Sequence, residues 1–168
     1  MADQEPTAGS NGSGEMQDQP QLTILAQYTK DLSVENPSAP QVYSWQVQPS
    51  VEVQFNIGVE TAADDVHEVT LKIEVSARSE NGTHFMVDLS YGGLFGLRNL
   101  PADALQPFLL IEAPRLIFPF ARQIIAEAVS NAGFPPLLLD PIDFAGAYMS
   151  QLEAAQQQAG GEQAPSQA

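Results

Sequence analysis

The sequence predicts an α+β domain, in which a four-stranded antiparallel sheet is followed by helices that pack on one of its faces. Two observations lead to this class. Four segments between residues 22 and 91 alternate apolar and polar residues, which is typical of strands with one buried and one solvated face. Beyond residue 101 the apolar residues recur with helical spacing, so that strands and helices are separated along the chain.

The first predicted strand occupies residues 22–35. One parity of its residues is polar and ends on two carboxylates, Asp31 and Glu35, whereas the other parity is apolar except for Lys30. We expect the apolar parity to face the core and both carboxylates to face solvent. The pattern assigns no role to Lys30. The apolar parity consists of Leu22, Ile24, Ala26, Tyr28, Leu32 and Val34.

Three further strands are predicted at residues 51–59, 68–78 and 85–91. The links between these three are short and turn-like, which predicts a meander. The link between the first and second strands is long and carries three prolines, so we expect a crossover there. The segment YGGLFGL, residues 91–97, contains three glycines and predicts a bend after the last strand.

The polar parities of the four strands together predict an acidic face of the sheet. Such a face suits the docking of a basic partner, which it would attract over a long range. It suits equally well the simpler task of keeping the sheet soluble and protecting its edges, and the residues alone favour this second interpretation. The charged residues of the face are Asp31, Glu35, Glu52, Glu68, Glu74 and Asp88, with Lys72 and Arg78.

Helices are predicted over residues 102–131 and from Phe144 onward. Three prolines in the first segment favour breaks or kinks, Gly133 is a plausible stop, and Asp143 is placed to cap the last helix. The segment 115–133 is apolar nearly all round, so a second subunit is expected to cover the side that the sheet leaves open; burial within its own domain is the alternative. The predicted interface residues are Leu116, Phe118, Phe120, Ile124, Ile125 and Val129.

Composition sets the broad class of the protein. The 168 residues are enough for one domain, expected over residues 21–155, with disordered segments at residues 1–20 and 156–168. A formal charge of −15 disfavours binding to nucleic acids and anionic lipids, and the absence of cysteine excludes disulfides and thiolate chemistry. Because neither a signal peptide nor a membrane-spanning run is visible, we expect a cytoplasmic protein.

No motif predicts catalysis. His67 lacks the second histidine of a zinc-protease helix, and His84 is predicted to be a surface imidazole beside a turn. Asp64 and Asp65 are adjacent in a turn, where their side chains point apart. We therefore expect a protein that is not an enzyme and that carries no cofactor and no metal. A small-molecule binding or enzymatic domain on a one-sided sheet remains a weaker alternative.

At four stretches and at the Gln-rich end of the last helix, the residues resemble the SecB family of export chaperones. The resemblance spans most of residues 22–155 in the right order. It implies a subunit with a four-stranded antiparallel sheet and two helices, assembled as a homotetramer that is a dimer of dimers. The stretches are YTKDLSVENP at 28–37, DDVHEVTLKIEVSA at 64–77, YGGLFGL at 91–97 and RLIFPFARQIIAEAVSNAGFPPLLLDPIDFAGAYM at 115–149.

The resemblance also implies a function without catalysis. SecB-like proteins hold unfolded preproteins without ATP and deliver them to SecA, the ATPase of the bacterial translocation machinery. The SecA contacts of the family correspond to Asp31, Glu35, Met86 and Asp88. Its client-binding surfaces correspond to Tyr43, Trp45, Val47, Phe134 and the segment Leu137, Leu138 and Leu139, although the loop tryptophan is shifted relative to the family pattern. A SecB-like chaperone dedicated to the antitoxin of a toxin–antitoxin system is the alternative function.

Overall fold

The computed structural model describes residues 19–161, which form one antiparallel sheet and a layer of helices. The strand order is β1-β4-β3-β2, so β1 and β2 lie at opposite edges. The predicted four-stranded sheet and its crossover are therefore confirmed, because the link from β1 to β2 must cross the sheet. The strands are β1 Gln21–Glu35, β2 Ser50–Ala63, β3 Val66–Ser79 and β4 Gly82–Arg98.

The helices follow the sheet, as the sequence predicts. Helix α1 spans Ala102–Pro107 and leads through a π-helical turn, Phe108–Glu112, into α2, Ala113–Asn131. The helix type changes after Pro107 and again just before Pro114, which lies in the first turn of α2, where a missing N–H is tolerated. Pro119 lies inside α2 and does not end it, so no break occurs there. Helix α2 is followed by Gly133, whose φ of 89° favours glycine.

The last helix, α3, spans Phe144–Gly161 and begins as predicted. The carboxylate of Asp143 accepts a hydrogen bond from the Gly146 N–H at 2.9 Å. However, α3 contains residues 156–161, so the expected start of a disordered tail at residue 156 is wrong. Residues 156–159 are three Gln and one Ala, which have high helix propensity, and the helix ends at the two glycines that follow. The remainder of that expectation, and the expected disorder of residues 1–18, lie outside the described residues.

The core lies between α2 and the two central strands, β3 and β4. Ile117, Ile125 and Val129 of α2 are fully or almost fully buried against it, and Phe118 is also buried. The prediction that Phe118, Ile125 and Val129 belong to a subunit interface is therefore wrong, because the protomer itself covers them. Only Leu116 and Phe120 of the predicted set are largely exposed, and Ile124 is half-buried.

The helix layer is narrower than the sheet. On the face that carries the helices, which we call the helix face, the apolar side chains of both edge strands stay exposed. On β1 these are Leu22, Ile24, Leu32 and Val34, and on β2 they are Val51, Val53, Phe55 and Val59. The predicted packing of helices on one face is confirmed, but it covers mainly the central strands; of the apolar residues of β2, Ile57 is partly buried against the core.

Two β-bulges in β1 change the side to which its middle residues point. Register shifts occur between Ile24 and Ala26 and between Thr29 and Asp31. Between them Tyr28 lies opposite Gly92 on the outer face of the sheet, the face without helices. The prediction that Ala26 and Tyr28 face the core is therefore wrong, because strict alternation cannot reveal an inserted residue.

The segment YGGLFGL does not bend away from the sheet but continues β4 as far as Arg98, which corrects the predicted bend. Its glycines make room for neighbouring side chains. A Cβ atom at Gly92 would lie 2.7 Å from the Tyr28 ring, and one at Gly93 would lie 2.8 Å from the Phe95 ring. The glycines therefore serve close packing on both faces.

We expect Gly92→Ala to lower the free energy of unfolding by about 1–3 kcal/mol, because the new methyl group would overlap the Tyr28 ring. Urea unfolding measures this difference. Gly96→Ala is the matched control, since it lies on the same face of the same strand and its Cβ would meet nothing closer than 3.7 Å. Equal stability of the two variants would contradict the packing role of Gly92.

Candidate functional site

The outer face of the sheet contains an acidic depression of about 370 Å³. All four strands contribute a carboxylate to it: Glu35 from β1, Glu52 from β2, Glu74 from β3 and Asp88 from β4. Met86 completes its floor, directly opposite Glu35 in the β1–β4 pair. Three of the four residues predicted to contact SecA are thus brought together. The fourth, Asp31, lies on the same face opposite Ser90.

Two basic side chains lie inside this acidic depression or at its border. The Lys72 Nζ atom is 3.2 Å from Glu74 Oε1 and 3.6 Å from Asp88 Oδ2. The hydrogen bond to Glu74 raises the pKa of Lys72, and the charge of Asp88 adds to the effect. Arg78 lies beside Met86, with its guanidinium 3.9 Å from the sulfur atom. The depression therefore keeps an acidic excess that is partly neutralised from within.

The bulges of β1 give Lys30 a role that the sequence pattern does not reveal. The first bulge inverts the alternation, so that Lys30, like Tyr28, faces outward, and its Nζ lies 2.6 Å from Glu68 Oε1 of β3. Thr70 donates a further hydrogen bond to Glu68 at 3.4 Å. The hydrogen bond with Lys30 lowers the pKa of Glu68 and raises that of Lys30. Lys30 is thus a partner of an internal carboxylate and not a charge turned toward the core.

The opposite, helix face contains an apolar groove of about 490 Å³ between β2 and the segment that leads into α3. Leu138 is its most exposed apolar residue, at 65%. Leu137 contributes to the groove, whereas Leu139 also borders it but is buried in the core, so its side chain offers little surface to a client. The other lining residues are Val51, Val53, Phe55, Asp140, Ile142 and Asp143.

Leu138 belongs to the predicted client-binding segment Leu137 to Leu139, but the different exposure of the three leucines was not predicted, although a signal was present. In an extended segment successive side chains point to opposite sides, so three consecutive leucines cannot all face the core. With Leu139 buried, Leu138 had to be the exposed one. The β2 residues were missed for a different reason. Their alternation predicts a buried face, and nothing local shows that the helices stop short of the edge strand.

The crossover loop is tied to the end of α2 through Tyr43. The tyrosine hydroxyl donates a hydrogen bond to the Ala132 carbonyl at 2.7 Å, and Asn36 donates to the same hydroxyl at 2.7 Å. The Tyr43 and Phe134 rings lie 5.7 Å apart, and Phe134 in turn packs on Phe85. The structure thus brings together the predicted pair Tyr43 and Phe134, with Tyr43 still 53% exposed.

The two other predicted loop residues, Trp45 and Val47, lie apart from the apolar groove. Trp45 packs edge-on against His84 with ring centroids 5.0 Å apart, next to the β3–β4 turn. His84 is buried and lies 2.8 Å from the Ser79 hydroxyl, so the prediction of a surface imidazole is wrong. The tryptophan of the loop is what covers it. Val47 is half-buried and is not among the groove residues.

The described residues give no indication of a metal site or a membrane span. Between residues 19 and 161, no group of three or more His, Asp and Glu side chains is arranged to hold a metal ion. Within the same range, no helix is both long enough and apolar enough to cross a membrane. The outstanding features of this part of the chain are therefore its two surfaces, one acidic and one apolar.

Comparison with known proteins places the chain in a family. The family model described as preprotein translocase subunit SecB matches residues 15–155. The chain belongs to the SecB family. The protein-export protein SecB of Zymomonas mobilis is 60% identical over 134 residues, which cover 80% of this chain and 82% of that protein. The protein-export protein SecB of Sphingopyxis alaskensis is 54% identical, with 87% of this chain and 85% of that protein covered.

A solved structure shows the same fold. It is the SecB-like chaperone of Mycobacterium tuberculosis, in complex with a peptide from the HigA1 antitoxin. The two chains superpose with a TM-score of 0.61 at 13% identity, covering 72% of this chain and 90% of that one. At this identity the likeness concerns the fold, which agrees with the sheet and helices described above.

Proposed function

We propose that the protein is a cytoplasmic, ATP-independent chaperone that binds unfolded preproteins on its apolar surfaces, keeps them competent for export and delivers them to SecA. The observation that carries the proposal is the open groove beside β2. A row of apolar side chains on an edge strand is abnormal on a soluble protein unless it binds something. The membership of the SecB family and the names of its relatives in protein export support the same conclusion.

The chemistry of the groove suits clients of many sequences. Its lining is mainly aliphatic, with Phe55 at one end, so binding depends on apolar area and not on directional contacts. At about 25 cal/mol per Å², a segment that buries about 400 Å² of apolar area gains about 10 kcal/mol before the cost of ordering the chain is subtracted. Binding of this kind is firm enough to prevent aggregation and weak enough to be reversible.

A second client surface is proposed at the crossover loop, where Tyr43 and Phe134 meet. Trp45 and Val47 belong to the same loop and extend this surface toward the β3–β4 turn. The partly exposed ring of Tyr43 supports the proposal, because its hydroxyl anchors the loop while its remaining edge stays free. Two separated apolar surfaces allow one long unfolded chain to be held at more than one point.

The groove is tested by Leu138→Asp. We expect it to reduce the affinity for an unfolded client about tenfold, because it places a charge where a leucine side chain is buried by the client. The measurement is the protein's suppression, without ATP, of the aggregation of a slowly folding precursor. Leu25→Asp is the matched control, since Leu25 is 51% exposed but lies over Gly96 on the outer face. Failure of the wild type to suppress aggregation would overturn the function.

We assign SecA docking to the acidic depression, with Glu35, Met86 and Asp88 as contacts, and to Asp31, which lies on the same face outside the depression. The support is their common placement on one face and the acidic excess around them. Electrostatic docking of this kind fixes orientation and speeds encounter, and it leaves the client surfaces on the opposite face free. The protein would thus be able to hold a client and meet SecA at the same time.

Asp31→Arg and Glu35→Arg test this docking face. Each is expected to weaken SecA binding about tenfold at low salt, because it sets a positive charge against a basic partner, while client holding stays unchanged. Titration calorimetry gives the affinity. Glu60→Arg is the control, since it makes the same charge change on the same face but lies on the opposite edge strand, β2, at the end away from the depression. Unchanged SecA affinity in both test variants would refute the assignment.

We further propose that four chains assemble as a dimer of dimers. The support is an edge strand, β1, with an open side and exposed apolar residues, and the exposed pair Leu116 and Phe120 on α2. Uncovered apolar surfaces of this extent are typical of obligate subunit contacts. Ile124, which is half-buried, lies on the same helix.

Light scattering is expected to give a mass four times the 18.1 kDa of one chain. Phe120→Asp should reduce this mass, because the variant would bury a carboxylate in an apolar contact, whereas Phe120→Leu should leave it unchanged. A stable monomer of the wild type at micromolar concentration would exclude the proposed assembly.

A further inference from the structure

Lys72 lies in the middle of the surface to which we assign SecA docking. Its position on β3 is opposite Asn56 of β2 and Ser90 of β4, so it is on a central strand and on the outer face. From there its amine lies within ion-pair distance of Glu74 and Asp88, both of which line the depression. A cation of the protein itself thus occupies two of the four carboxylates.

The contact is of a kind that exchanges easily. The side chains of Lys72, Glu74 and Asp88 are 44%, 50% and 41% exposed, so solvent and salt screen both ion pairs. An ammonium group binds as a mobile point charge without the fixed geometry of a guanidinium. The raised pKa of Lys72 is consistent with an amine that is engaged by these acids.

From this arrangement we infer that Lys72 is an internal competitor at the acidic depression, which a cationic partner must displace in order to bind Glu74 and Asp88. The inference rests on the proposed docking function of this face. Its consequence is selectivity, because a single positive charge on a passing chain gains little by replacing an equivalent charge. A partner that presents several cations at once can also bind Glu35 and Glu52, with which Lys72 does not pair. These additional contacts favour the displacement of Lys72 from Glu74 and Asp88.

Lys30 provides a natural comparison on the same face. It carries the same charge, but its partner Glu68 is only 16% exposed and is outside the depression. Removal of Lys30 or of Lys72 makes the face more acidic by one charge. The long-range attraction of a basic partner therefore rises by a similar amount in both cases, and only the removal of Lys72 frees carboxylates of the docking surface.

The test compares Lys72→Gln with Lys30→Gln in binding to SecA at low and physiological salt. Lys72→Gln is expected to bind SecA about threefold more tightly than Lys30→Gln. The reason is that SecA no longer has to break the two exposed ion pairs of Lys72, and such pairs are weak. Lys72→Arg keeps the charge and is expected to bind no more tightly than the wild type. Client holding should be the same in all of these variants.

Because Lys30→Gln removes the partner of a carboxylate that is largely covered, its folding is checked by urea unfolding. Arg98→Gln serves as a second control, since Arg98 is exposed near the end of β4 and is also outside the depression. Equal affinities of Lys72→Gln and the controls would overturn the competitor role while leaving the docking face intact. Failure of the wild type to bind SecA would overturn the docking function itself, and the inference with it.

Discussion

The structure depends on a mismatch of width between its two layers. Helix α2 covers the apolar side chains of β3 and β4, and these supply most of the core, but it leaves most apolar side chains of the edge strands exposed. The residues of β1 and β2 on the same face therefore keep the apolar character of core positions without the cover. The protein therefore has a packed core at the centre of the sheet and exposed apolar side chains at both edges, where another chain can bind.

The two faces of the sheet divide the proposed work by physical principle. The helix face offers area without direction, which suits unfolded chains of any sequence. The outer face offers charge, which acts at a distance and favours one kind of partner. Because side chains alternate along each strand, the same four strands supply both surfaces, one from each set of alternate residues.

Sequence patterns predicted the element types because those depend on local periodicity. The strands, the crossover, the Asp143 cap and the shared face of Asp31, Glu35, Met86 and Asp88 all follow from spacing and turn residues. The errors arose where distant residues decide. The inverted centre of β1 depends on two bulges, and the burial of His84 depends on Trp45 from the loop. The groove stays open because the helices do not cover most of the apolar side chains of β2. The family resemblance supplied the roles that spacing alone left undecided.

The packing of Trp45 on His84 has a practical consequence for observing the molecule. The chain contains a single tryptophan, which is held between the crossover loop and the β3–β4 turn. The tryptophan fluorescence of the whole protein therefore originates at one defined point of the loop. A loop that lifts from the sheet exposes this indole to water, so its emission reports the docking of that loop without any attached label.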